Sequence, residues 1–115
     1  MTIAVLDGGF FCIDSHPNID HSKILGTHDF TRKSFSYQAG ADHGASVLMC
    51  MATNAPNTFI GTAPEANFWL IITEIPLREV PMEEDIWVAG AEMADSIGVD
   101  VITSSLGYDT FDDPA

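Results

Sequence analysis

The chain has 115 residues, with 4 Lys+Arg against 17 Asp+Glu and a formal net charge of −13. That length is one domain or part of one, and so acidic a surface repels nucleic-acid backbones and anionic membranes, which excludes both as partners. Apolar residues at 46% and charged residues at 18% mark a folding sequence rather than an acidic tail, and no apolar run nears the roughly 18–20 residues of a spanning helix.

Ile3-Ala4-Val5-Leu6 is an apolar run that stops at Asp7-Gly8-Gly9, the pattern of a buried strand ending in a turn. Residues 10 to 41, with Pro17, scattered His and Asp and a polar stretch from Thr31 to Gly40, read as one long irregular loop. Loops of that length in a compact domain usually carry function. A helix is expected from near Asp42-His43-Gly44, with Ala45, Leu48, Met49 and Ala52 at helical spacing and a stop at Asn54-Ala55-Pro56. Asn67 to Thr73 reads as a second buried strand, and Ile75 to Pro81 as a loop.

The clearest expected element is the next helix. Glu83-Glu84-Asp85 places three acids in its first turn, where the helix dipole favours them. Ile86, Ala89, Gly90, Met93, Ala94 and Ile97 form one apolar face, and Gly98 is a natural residue to end it. Val99 to Thr103 is a third strand that runs into Ser104-Ser105-Leu106-Gly107. Strands and helices that alternate in this way, with near-continuous apolar strands, predict an α/β fold with a parallel sheet flanked by helices. The tail from Asp109 to Ala115 carries no domain-ending signal, so the fold is expected to be incomplete. Of the two cysteines, both are expected to be free and Cys50 to lie in the core.

In open α/β sheets ligands sit at the carboxyl ends of strands, and Asp7 lies at such an end. His43 opens a helix whose start faces the same rim. An Asp that fixes the tautomer of a His, with that His as general base, is two thirds of a serine-hydrolase triad, and Asp before His is one of its known chain orders. On spacing alone, Asp7 also reads as a turn former and His43 as a capping or surface residue.

Five segments, in order, resemble the N-terminal part of the catalytic domain of subtilisin-like serine peptidases (subtilases). Ile3-Ala4-Val5-Leu6-Asp7-Gly8-Gly9 is similar to the family's segment around its catalytic Asp. Ser15-His16-Pro17-Asn18-Ile19 resembles the stretch that often follows. Asp42-His43-Gly44-Ala45-Ser46-Val47 resembles the catalytic His segment. Ile60-Gly61-Thr62-Ala63-Pro64-Glu65-Ala66 resembles the family's Gly-Val-Ala-Pro-Glu-Ala, and Gly98 to Gly107 its Gly-Ala-Asp-Val-Ile-Asn-Met-Ser-Leu-Gly.

The resemblance implies a subtilisin-like three-layer sandwich and a serine endopeptidase that acts through an Asp-His-Ser triad. Asp7 and His43 would be its first two members, and Ser105, Leu106 and Gly107 would line the substrate cleft, where an extended peptide pairs with the backbone. Residues 1 to 115 would be the N-terminal portion of that domain. The family's nucleophile segment is absent, so the chain alone is expected to be inactive and to need the remainder of its domain. The third strand would then present an open parallel edge, so the isolated chain is expected either to self-associate through it or to need the missing half. Gly8, Ser46, Leu48 and Met49 depart from the family pattern and imply a divergent subgroup with different packing near the site.

Other chemistries fit less well. His16, His21, His28 and His43 form no tight ligand pair, so no metal centre is expected. Asp14, Asp20 and Asp29 leave room for a Ca²⁺ site in the long loop, of the kind many subtilases have. A phosphoryl acceptor at Asp7 would want an acidic neighbour where Gly9 stands and a downstream Lys, and none follows Lys33. The alternative within the same fold is a non-catalytic binding or scaffolding module. A subtilase-like fold with an acidic surface fits a secreted or cell-envelope protein.

Overall fold

A computed structural model describes residues 1–75, 77–108 and 110. Its centre is a four-stranded parallel sheet. β1 (Thr2–Asp7) and β5 (Asn67–Ile72) are the inner strands, and β2 (Ile24–Asp29) and β6 (Val101–Ser104) are the edges, in the order β2-β5-β1-β6. In register, Thr2 stands beside Asn67, Asp7 beside Ile72 and Leu6 beside Ser104. The two inner strands are buried on both faces, which is why their sequences read as continuous apolar runs.

Alternation along the strands divides the core in two. Ile3, Val5, Phe68, Leu70 and Ile72 face one side and pack with Ala45, Leu48 and Ala52 of α1 (His43–Ala52) and with Phe10, Ile13 and Ile19. Ala4, Leu6 and Ile71 face the other side and pack with Ala94, Trp87 and Ala91 of α2 (Met82–Ile97). One helix therefore covers each face. A small antiparallel hairpin, β3 (Asn54–Ala55) with β4 (Phe59–Ile60), follows α1.

The long loop expected over residues 10–41 contains an element that the sequence reading missed. Residues 24–29 form edge strand β2, paired with β5 and interrupted by an irregularity between Ile24 and Gly26. Its solvent-facing positions and its Gly-Thr-His interior hide the apolar signal that marks the inner strands. Two short 3-10 turns, Ile13–Ser15 and His21–Lys23, lead into it.

The apolar face of α2 also differs from expectation. Gly90 and Ala94 are buried as expected, but Ile97 is exposed, and the inward stripe adds Glu83 and Trp87. Trp87 donates its indole N–H to Ser104 Oγ at 2.7 Å, tying the helix to β6. Glu83, Glu84 and Asp85 lie in the first turn of α2 as expected, and Glu83 is buried. Its buried carboxylate accepts the Ile75 backbone N–H. Gly98 ends α2 in the left-handed conformation, φ 85°, donating its N–H to the last carbonyls.

Both cysteines are free, and Cys50 is exposed rather than in the core, because it lies on the outer side of α1. The tail from Asp109 to Ala115, read as lacking a domain-ending signal, lies outside the described residues apart from Thr110. Among the described residues, no helix is long and apolar enough to cross a membrane.

Candidate active site at the carboxyl end of the sheet

Asp7 is the last residue of β1 and His43 the first of α1. The strand is held on both sides by pairing, which fixes where the Asp7 side chain emerges. The helix start is fixed by close approach. A Cβ on Gly44 would stand 2.4 Å from the Gly9 carbonyl oxygen and 2.8 Å from Asp7 Cβ. Only glycine lets the first turn of α1 lie on the β1 exit, and this is the physical reason for the His-Gly pair. The connection is closed by a bridge between Gly9 and Gly40 and by the Ala41 N–H donating to the Gly8 carbonyl at 3.2 Å.

The two side chains meet. His43 Nδ1 lies 2.9 Å from Asp7 Oδ2 and 3.0 Å from Oδ1. Asp7 Oδ1 also accepts the Gly8 backbone N–H at 2.7 Å. The Asp7 side chain is 1% exposed, whereas that of His43 is 55% exposed. A buried carboxylate against Nδ1 requires the proton there, so the neutral ring carries its lone pair on Nε2. Among the described residues Nε2 makes no hydrogen bond. The Asp7 hydrogen bond and then its charge hold the His43 pKa above the ordinary imidazole value, against a smaller opposing effect of burial.

The pair lies in a recess of about 310 Å³ bordered by Gly8, Ala41, Glu74, Leu77 and Arg78, among others. Glu74, which the sequence reading did not single out, stands two residues beyond β5. Burial, then the charges of Asp7 and Glu83, push its pKa up to about 7. Its one sequence signal is an acid immediately after an apolar strand, at the end of the sheet where ligands bind.

Ser105, Leu106 and Gly107 follow β6 at the same end of the sheet. Leu106 and Gly107 border a second recess, with Glu84, Trp87, Val88 and Tyr108, and do not line the one that holds Asp7 and His43. Leu48 and Met49, the unusual residues after His43, point into and against the α1 core rather than into the recess.

Two of the three loop residues considered for calcium, Asp20 and Asp29, are engaged in local turns. Asp29 Oδ1 accepts from the Thr31 N–H and hydroxyl and from the Arg32 N–H, and Asp20 Oδ1 from the Ser22 N–H and hydroxyl. Among the described residues, no group of three or more His, Cys, Asp or Glu side chains is arranged to hold a metal ion. No family model matches the chain, and no curated protein does so significantly.

Proposed function

We propose that this chain supplies the acid and base of a serine endopeptidase with a subtilisin-like catalytic domain. The observation that carries the reading is the buried Asp7 carboxylate on Nδ1 of a solvent-facing His43. That arrangement leaves Nε2 as a base toward solvent and stabilises the imidazolium that forms when it takes a proton.

In the proposed reaction, His43 Nε2 removes the proton of a serine hydroxyl as its oxygen attacks the peptide carbonyl. The same nitrogen then returns the proton to the leaving amine as the acyl-enzyme forms. A water deprotonated by His43 attacks the ester, and the proton goes back to the serine. Asp7 keeps its charge throughout. The nucleophile and the donors to the oxyanion belong to the rest of the proposed domain, and Ser105, Leu106 and Gly107 are proposed to border its substrate cleft. The helix-sheet-helix layering, Asp7 and His43 at the carboxyl end of the sheet and the five segment resemblances support this assignment. A secreted or cell-envelope location belongs to the same proposal.

The test is cleavage of an unstructured protein such as casein by the full-length protein. Activity is expected in the wild type and a loss of at least about 10³-fold in kcat in His43→Ala and Asp7→Asn. A folded wild type without activity would favour the binding or scaffolding alternative.

A further inference from the structure

The recess beside His43 holds a carboxylate that the Asp7–His43 pair does not use. Glu74 turns over the backbone of Gly8. Its Oε2 lies 3.4 Å from where a Cβ on residue 8 would stand. Its Oε1 is shut from water and, among the described residues, accepts no hydrogen bond. Arg78 borders the recess but does not bond that oxygen, and Glu79 adds a further acid to the rim. His43, whose charge favours ionisation of Glu74, is already committed through Nδ1 to Asp7. A half-buried carboxylate among the like charges of Asp7 and Glu83 is unfavourable when ionised, and a positive charge entering the recess that Glu74 borders relieves it. The recess, at about 310 Å³, has room for a lysyl side chain beside His43.

We propose that Glu74 is a specificity-determining residue that accepts a cationic group of the substrate, an ammonium or guanidinium, in the recess beside His43. This rests on the peptidase reading for the word substrate. The recognition itself needs only the recess. The cation belongs either to a Lys or Arg side chain or to the free amine of a peptide. Both present N–H donors on a positive charge, and Gly8 leaves the backbone bare for the approach.

The experiment titrates the isotopically labelled 115-residue chain with three peptides. They are acetyl-Ala-Lys-Ala-amide, its norleucine counterpart, and Ala-Ala-Ala-amide with a free amine. The shifts of the Gly8 amide and the His43 ring are followed by NMR at pH 8. The expected result is saturation by a cationic peptide at about fivefold or more lower concentration than by the norleucine peptide. Glu74→Gln, which keeps shape and removes charge, abolishes that difference and leaves norleucine binding unchanged. Preference for the lysyl peptide assigns the cation to a side chain, and preference for the free tripeptide assigns it to a chain terminus. Equal response to charged and neutral peptides, no response to any, or an unchanged preference in Glu74→Gln overturns the proposal. Failure of the peptidase reading shows separately, as absent His43-dependent activity of the full-length protein, and leaves the binding result unaffected.

Discussion

At the scale of single residues the site is a contest over where protons sit. The Asp7 hydrogen bond raises the His43 pKa, so the NMR titration midpoint of His43 is expected above 6.5. Asp7→Asn removes the charge and should lower it to the ordinary value or below, and equal midpoints in the two proteins would contradict the pairing. If His43 is the base, kcat/KM of the full-length protein rises with pH through that same elevated value.

Glu74 gives a second pH dependence, of opposite sense to a typical ion-paired acid. Its folded-state pKa, about 7, lies above its ordinary 4.5. The folded state therefore favours the protonated acid, a stabilisation present below pH 4.5 and lost as pH rises through about 7. The groups facing it are Asp7, Glu83 and Glu79, which oppose its ionisation, and His43, which favours it. Glu74→Gln is thus expected to raise the Tm at pH 8, with the gain shrinking toward pH 5. A gain independent of pH would contradict it. Asp7 and His43 were legible in the sequence because each sits at an element boundary in a distinctive motif. Glu74 was not, since one acid after an apolar strand looks like the first residue of a polar loop.

At the scale of elements, the two faces of the sheet impose different demands. α2 lies so close to the sheet that a Cβ on Gly90 would stand 2.6 Å from Thr73 Cγ2 and 3.3 Å from Leu6 Cδ2. Gly90→Ala should therefore destabilise the fold by about 1–3 kcal/mol in urea unfolding, despite the better helix propensity of Ala. An unchanged or increased midpoint would show that the helix can lift off without cost. The inner strands and both helices were readable because burial writes itself into apolar periodicity. β2 was not, because as an edge strand it is half solvated and carries Gly26, Thr27 and His28. The inward face of α2 was read partly wrongly for a related reason. Glu83 is buried and accepts a backbone N–H, half-buried Trp87 donates to Ser104, and neither belongs to a simple apolar stripe.

At the scale of the whole molecule, the two sheet edges differ. β2 is broken by its irregularity near Gly26, which blunts strand addition. β6 shows no such break against β1, and leaves Val101 and Ile102 43% and 39% exposed. This edge is expected to take a further strand, either from the rest of the proposed domain or from a second copy. The net charge of −13 opposes pairing of copies, so association of the chain should strengthen as salt screens it. Sedimentation is expected to show concentration-dependent association that grows with salt and falls in Ile102→Lys. A monomer under all conditions would contradict an adhesive β6 edge.

If Asp7 and His43 activate a serine nucleophile as proposed, a fluorophosphonate labels the full-length wild type covalently and does not label His43→Ala. A folded wild type that does not label, or a His43→Ala variant that labels equally, would contradict it.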